Sequence, residues 1–178
     1  MKLKRVLLVA LLMFSFSSMK AQTINVATYN MRNDNNSEDS TNGNGWKQRY
    51  PVITALIRFH DFDIFGTQEC LYHQILDISK QLPEYNFYGI GRDDGKHAGE
   101  HSEIFFKRDK FQLLDHGDFW LSQTPGKPSL GWDATCCNRI CSWVYLKDKQ
   151  SGKRFYVFNA HYDYQKDLAR NESSKLIL

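Results

Sequence analysis

Apolar positions divide the chain into two regions of different character. Up to residue 82 the pattern alternates between strand-like runs and amphipathic helical runs, which predicts strand, helix, strand, helix. From residue 85 onward, apolar and aromatic residues recur in short strand-like runs separated by turns. The predicted strands cover 24–30, 61–69, 85–92, 102–121, 140–148 and 153–161, and the predicted helices cover 46–60, 70–82 and 167–178. This mixture predicts an α+β protein built from layered sheets.

Polar and glycine-bearing stretches separate these elements. Residues 33–45 are predicted as a polar loop, and residues 122–138 as a long surface loop that contains Pro125 and Pro128. Residues 147–154 predict a hairpin connection in which Gly152 takes a positive φ.

The first 21 residues have the layout of a secretory signal peptide. A basic start precedes an apolar run from Val6 to Phe16, and small and polar residues follow as far as Ala21. The run is too short to span a bilayer comfortably, although an uncleaved anchor is the alternative interpretation. We therefore predict a signal peptide over 1–21, one domain over 22–178 without a transmembrane segment, and a secreted or periplasmic location.

Net charge changes when the signal is removed. The remaining 157 of the 178 residues lose four cations and no acids, so the formal net charge falls from +3 to −1. A strong nonspecific nucleic-acid footprint needs a basic face, so the charge does not favour nucleic acid as the partner. The length suits one domain with a proper core, and the sequence does not specify an oligomeric state.

Four cysteines, Cys70, Cys136, Cys137 and Cys141, lie in a chain that is expected to be exported, where disulfides are permitted. Cys136 and Cys137 are adjacent and are not expected to pair with each other. Either one could pair with Cys141 or Cys70, and the sequence does not choose between the pairs. A zinc site is disfavoured, because the stretch "CCNRIC" lacks a second pair of ligands.

Three apolar strands end on residues that are able to do chemistry: Asn30, Glu69 and His161. Strand ends are where an open sheet meets its ligands. Each residue alone has an ordinary structural interpretation, as a turn residue, a solvated acid or a structural histidine. The three together favour a functional site.

The order of four motifs resembles the endonuclease/exonuclease/phosphatase family. The motifs are "TYNMR" at 28–32, "DIFGTQE" at 63–69, "GEHSEIFFKRDKF" at 99–111 and "NAHYD" at 159–163. The resemblance implies a deoxyribonuclease I-like fold, an α+β four-layer α/β/β/α sandwich. It also implies hydrolysis of phosphodiesters or phosphomonoesters with a divalent cation, Mg²⁺ or alternatively Mn²⁺.

The resemblance also implies roles for individual residues. Glu69 matches the metal-binding glutamate, and Asn30 matches the asparagine that positions metal and phosphate. His161 matches the histidine that donates a hydrogen bond to the scissile phosphate. Glu100 aligns with an acid that orients this histidine and keeps it protonated. Arg139, just before the strand at 140–148, is a candidate phosphate contact.

Two further motifs that the family normally carries downstream are not found after "NAHYD". These are an Asp-x-Asn that orients the nucleophile and a Ser-Asp-His that supplies the general base. Because the chain stops within a predicted helix, we expect a domain truncated at its C-terminus, with the inner face of its first sheet exposed. Tyr164 also stands where relatives often carry a histidine.

These departures keep two other functions open. One is a catalytically inactive remnant or binding protein on the same fold, and the other is a disulfide-stabilised β domain that binds carbohydrate or protein. The substrate is a phosphate ester of unspecified class. The loop at 122–138, with Trp120 and Trp132, weakly favours a smaller or lipid-like ester.

Overall fold

A computed structural model describes residues 23–178 and contains two β-sheets and four helices. The strands are β1 (Val26–Asn30), β2 (Ile64–Gln68), β3 (Tyr85–Tyr88), β4 (Ile104–Lys107), β5 (Phe111–Trp120), β6 (Ile140–Asp148) and β7 (Arg154–Ala160). The helices are α1 (Ser37–Thr41), α2 (Trp46–His60), α3 (Tyr72–Gln81) and α4 (Asp167–Ile177).

The first sheet has the strand order β1-β2-β4-β3. β1 and β2 are parallel, with Asn30 opposite Gln68 at their carboxyl ends, and α2 lies in the crossover that a parallel pair requires. β2 is buried along its whole length, which explains its continuous run of apolar and small residues. β4 pairs antiparallel with both β2 and β3.

The second sheet is an antiparallel meander of β5, β6 and β7. The connection between β6 and β7 contains Gly152 with φ of 74°, as the sequence predicted. A register shift between Leu113 and Asp115 interrupts the pairing of β5 with β6. Such a bulge bends its strand and increases the local twist.

Two apolar clusters hold the layers together. One lies between the first sheet and α2 and α3, where Phe65 and Phe105 stack with ring centroids 4.7 Å apart. The other lies between the two sheets, and its buried members are Ile64, Ile104, Phe106, Phe111, Val144 and Leu146. The predicted deoxyribonuclease I-like sandwich of two packed sheets with helices outside is therefore confirmed.

The second cluster also corrects an expectation. The inner face of the first sheet is not left open as a whole, because the second sheet packs against its central strands. On the unpaired edge strands, Val26 of β1 and Tyr156 and Phe158 of β7 are exposed.

Two predicted elements differ in the structure. The stretch 33–45, predicted as a loop, contains α1, which Asn36 caps by accepting a hydrogen bond from the backbone of Glu38. The run 102–121, predicted as one strand, is two strands in different sheets, joined by a turn at 108–110. That turn contains no glycine or proline, so no local pattern indicates the break.

The cysteine expectation was wrong. Cys136 and Cys137 are bonded to each other, in the irregular segment between β5 and β6. Cys70 and Cys141 are free thiols that lie buried within the fold.

The predicted signal peptide over 1–21 lies outside the described residues. Within residues 23–178, no helix combines the length and apolar character that a bilayer crossing requires.

Candidate active site

The strand ends that carry the predicted residues meet at one end of the two sheets. Asn159 of β7 joins the sheets there, because its Oδ1 accepts a hydrogen bond from Gln68 Nε2 at 2.7 Å. Its Nδ2 donates to the backbone oxygens of Thr67 at 2.8 Å and Glu103 at 2.9 Å. Glu69 directly follows Gln68, and His161 follows Asn159 by two residues. The structure therefore brings the ends of β2 and β7 to the same region.

Asn30 and Glu69 are in direct contact across the ends of β1 and β2. Asn30 Nδ2 donates to Glu69 Oε1 at 2.7 Å, and Asn30 Oδ1 accepts from the backbone N–H of Arg32 at 2.9 Å. Glu69 has φ of 65°, a left-handed conformation that costs a residue with a side chain about 1–2 kcal/mol. Strain of this kind often accompanies a functional site, and here it belongs to the carboxylate at the end of the strand.

Glu100 is the centre of a charged group beside this pair. Its Oε2 accepts from Arg92 Nη1 at 2.6 Å and lies 3.8 Å from His161 Nδ1, and its Oε1 accepts from Asn33 Nδ2 at 3.1 Å. Burial alone would raise the pKa of Glu100, but His161, Arg92 and Asn33 outweigh burial and hold that pKa below its ordinary value. Glu100 is thus an anion at neutral pH.

A small recess connects these residues to Arg139. Its lining comes from the loop before β4, the start of β6 and the end of β7, and consists of Arg92, Glu100, His101, Ser102, Arg139, Ile140 and His161. Arg139 is only 5% exposed, and its guanidinium donates no hydrogen bond to any residue in 23–178. Burial, followed by repulsion from Arg92, lowers the pKa of Arg139.

Buried polar atoms without a partner concentrate around the recess. Across residues 23–178, seven buried side-chain nitrogen or oxygen atoms have no hydrogen-bond partner. Four of them belong to residues that line the recess: Arg92 Nε, His101 Nε2, Arg139 Nε and His161 Nδ1. Native proteins satisfy almost all such groups, so a cluster of unpaired polar atoms marks a candidate binding site. The recess is closed in the structure and has no space for a water-sized molecule.

Asp163 supplies a negative charge behind the recess. It is 2% exposed, and its Oδ1 accepts from the backbone N–H groups of Gln165 and Lys166, both at 2.8 Å. Burial would raise the pKa of Asp163, but these backbone donors and the nearby Arg139 and Arg170 together lower it. The carboxylate is charged and offsets part of the cost of burying Arg139.

The residues at the end of β2 fit a hard divalent cation. Glu69 is partly exposed, and none of the residues in 23–178 donates a hydrogen bond to its Oε2, so that oxygen is free to bind a cation. The same part of the chain contains no group of three or more His, Cys, Asp or Glu that could hold a metal ion. Mg²⁺ does not require such a group, because one or two carboxylates, waters and substrate phosphate suffice.

The structure brings Asn30, Glu69, Glu100 and His161 into one region and places Arg139 in the adjoining recess. The contacts of Asn30 show that its amide nitrogen orients Glu69 while its oxygen serves a turn, so its metal contact stays a prediction. Arg92, Asn33 and Asn159 also shape the site and were not predicted, whereas Asp163 follows His161 in the "NAHYD" motif but had no predicted role. A weak signal for Arg92 was its position in the glycine-rich stretch "GIGRDDGKHAGE", which predicts a tight hairpin that returns to Glu100.

Comparison with known proteins gives several relatives. The chain is 54% identical to a mannosyl-6-phosphatase of Bacteroides thetaiotaomicron VPI-5482, with a TM-score of 0.84, over 87% of this chain and 57% of that protein. It is 41% identical to an endonuclease/exonuclease/phosphatase of Bacteroides vulgatus, with a TM-score of 0.82, over 88% of this chain and 59% of that one.

A more distant relative is the CCR4-Not complex 3'-5'-exoribonuclease subunit Ccr4 of Neosartorya fischeri. It is 29% identical over 170 residues, which are 83% of this chain and 23% of that protein. No protein-family model matches the chain. The chain therefore spans a little over half of the similar solved structures and less than a quarter of the fungal relative. With two packed sheets, the site at their shared end and relatives of this kind, the chain belongs to the endonuclease/exonuclease/phosphatase family.

Proposed function

We propose that the protein is an exported, metal-dependent hydrolase of phosphate esters. The observation that carries this proposal is the recess itself, where the buried Nε atoms of Arg139 and Arg92 have no partner in the described part of the chain and the backbone N–H of His101 bonds to Cys70, the residue after Glu69. Phosphoryl transfer demands this combination, because charge on the non-bridging oxygens must be neutralised by groups that are already in position.

Arg139 is the proposed phosphate-binding residue. Its guanidinium is planar and permanently charged, and it matches a phosphate group through two parallel hydrogen bonds. Because Arg139 donates to no residue in 23–178, phosphate binding would break no existing contact of this side chain. The buried surroundings strengthen the attraction relative to water.

His161 is the proposed hydrogen-bond donor to the phosphoryl group. Its Nδ1 lies 3.8 Å from Glu100 Oε2, which leaves Nε2 available to the substrate. Glu100 is held in turn by Arg92 and Asn33, so the group that faces the imidazole is fixed in position.

Glu69 is the proposed metal ligand, and Asn30 holds its carboxylate in place. A bound Mg²⁺ would supply Lewis-acid polarisation of a phosphoryl oxygen. Mn²⁺ has similar ligand preferences and is the alternative. The left-handed backbone of Glu69 directs the side chain toward Asn30 at the strand ends, away from the interior of β2.

The relatives and the charge together favour a small ester. One similar protein is a mannosyl-6-phosphatase, so mannose 6-phosphate is the first substrate to test, whereas the Ccr4 relative makes RNA the second. The formal charge of −1 without residues 1–21 does not favour a long polyanion. The signal-like pattern in those residues supports export.

Hydrolysis assays test the proposal. The chain is incubated with p-nitrophenyl phosphate, bis-p-nitrophenyl phosphate and mannose 6-phosphate, with Mg²⁺, with Mn²⁺ and with EDTA. Glu69→Gln should lower the rate at least about 100-fold, because the charge that holds the cation is lost. Glu84→Gln, which alters a half-exposed glutamate paired with Arg58, is the matched control and should keep full activity. Equal rates for the two variants would refute the proposal.

A binding protein without turnover is the second candidate. It is favoured by one observation: no Asp-x-Asn and no Ser-Asp-His occurs between Asp163 and Leu178. Such a protein would bind inorganic phosphate in a titration and release no product from any of the three esters. Measurable turnover that disappears in the Glu69→Gln variant would eliminate it.

A further inference from the structure

Arg92 is fixed in the wall of the recess by three different segments. Its backbone N–H donates to the carbonyl oxygen of Glu100 at 3.1 Å. Its own carbonyl oxygen accepts from Trp120 Nε1 at 2.7 Å and from Asn138 Nδ2 at 3.4 Å. Trp120 ends β5 and Asn138 precedes Arg139, so the backbone of Arg92 cannot move independently of the other arginine in the recess.

The guanidinium of Arg92 is only partly used by the protein. Nη1 donates to Glu100, while Nε is buried without any partner in residues 23–178. The side chain is 13% exposed and lines the same recess as Arg139, whose Nε is also buried and unpaired. Two guanidinium groups on one small recess repel each other, and an anion bound between them removes that cost. The recess has no space for a water-sized molecule in the structure, so the two side chains must separate to admit the anion.

The number of phosphoryl oxygens decides what such a pair would select. A phosphodiester has two non-bridging oxygens and one negative charge, and His161 and Arg139 already provide donors for both oxygens. A phosphomonoester has a third such oxygen and a second charge near neutral pH. A second guanidinium therefore gains an acceptor of its own only when the phosphate is terminal.

We propose that Arg92 is a second phosphate-binding residue, which together with Arg139 gives the recess a preference for a terminal phosphate group. This inference rests on the proposed function, since it names the substrate class for the same site. Phosphomonoesters are the preferred substrates, and phosphodiesters bind without the Arg92 contact. The alternative role for Arg92 is purely structural: it would only hold Glu100 in place for His161.

The two roles differ in how a substitution affects the two ester classes. In Arg92→Met, loss of a substrate contact should lower kcat/KM for p-nitrophenyl phosphate about 100-fold and for bis-p-nitrophenyl phosphate no more than about fivefold. If Arg92 only anchors Glu100, the substitution would lower kcat/KM equally for both esters. Arg92→Lys keeps the charge but not the planar fork. Its ratio of monoester to diester activity should therefore lie between those of the unaltered chain and Arg92→Met.

The control is Arg58→Met, which removes a half-exposed arginine that pairs with Glu84 on the helical side of the fold. Its ratio of monoester to diester activity should equal that of the unaltered chain. Circular dichroism checks that each variant is folded, and Arg92→Lys takes the place of Arg92→Met if the latter does not fold. An unchanged ratio in a folded Arg92 variant would overturn the inference.

Calorimetric titration with inorganic phosphate separates this inference from the proposed function. Arg92→Met should weaken phosphate binding about tenfold or more, whether or not the chain turns over. If the unaltered chain hydrolyses neither ester but shows this loss, the Arg92 inference holds and the proposed function fails. If both esters are hydrolysed and phosphate affinity is unchanged in Arg92→Met, the inference fails and the function holds. Absence of both turnover and phosphate binding refutes both.

Discussion

The link between the sheets at Asn159 gives a prediction whose size follows from the structure. Asn159→Leu keeps a side chain of similar volume but removes all of its hydrogen bonds. The three lost contacts are those to Gln68 Nε2, the Thr67 carbonyl oxygen and the Glu103 carbonyl oxygen. Two of these groups keep another partner, because Gln68 also donates to Thr28 Oγ1 and the Glu103 oxygen also accepts from the Thr67 N–H.

The remaining partners limit the cost of Asn159→Leu. Three buried hydrogen bonds at about 1 kcal/mol each give a loss of about 3 kcal/mol in the free energy of unfolding. A domain of this size has about 5–15 kcal/mol of total stability, so the loss is a substantial fraction. With a urea m-value of about 2 kcal/mol/M, the unfolding midpoint should fall by about 1.5 M.

Urea unfolding followed by circular dichroism measures this shift. Asn86→Leu is the matched control, because Asn86 lies exposed on β3, and its midpoint should shift by less than about 0.3 M. Because Asn159 precedes His161 by two residues, phosphate affinity should also fall in the Asn159 variant under conditions where it is folded. A loss of stability below about 1 kcal/mol would show that the three contacts do not tie the sheets together.

Three further predictions follow from buried groups. Gly66→Ala should destabilise the fold by about 1–3 kcal/mol in the same unfolding assay, because its methyl group would lie 2.6 Å from Asn159 Oδ1; an unchanged midpoint contradicts this. Burial raises the pKa of Glu103 above 4.5, so the folded state retains a proton and stability falls as pH rises through the raised value. The free energy of unfolding of Glu103→Gln should therefore rise relative to that of the unaltered chain from about pH 4 to about pH 7. A difference that stays constant over this range would disprove the prediction. Burial raises the pKa of Cys141 to about 12 and that of Cys70 further, so a thiol reagent should label neither in the native state and two thiols per chain after denaturation.

Some elements could be predicted from the sequence because the patterns that indicate them are local. The pattern predicted the span of α2 as Trp46–His60, where Ile53 and Ile57 face the core, and the strand at Ile140–Asp148 had the predicted ends. The division of 102–121 between two sheets was not readable, because which sheet a strand joins depends on partners distant in the sequence.

The residues of the candidate site also fall into those that could be predicted from the sequence and those that could not. Asn30, Glu69 and His161 could be chosen because each follows an apolar strand, and such ends meet at a common edge. Arg92 could not be chosen, because its significance depends on Arg139, which is distant in the chain, and on an unpaired buried atom. Pairing between Cys136 and Cys137 was also rejected, because adjacency was taken to forbid it.

The strand-end residues and the arginine-bearing walls around them belong to different parts of the fold. Glu69 and His161 follow strands that Asn159 connects, whereas Arg92, Glu100 and Arg139 lie in irregular segments at 89–103 and 121–139. Grafting residues 121–137 of a relative onto this chain would therefore alter the rim of the recess while Arg139 and the strand-end residues keep their places. Diversification of this fold, in the laboratory or in nature, has a replaceable part and a part that must be inherited intact.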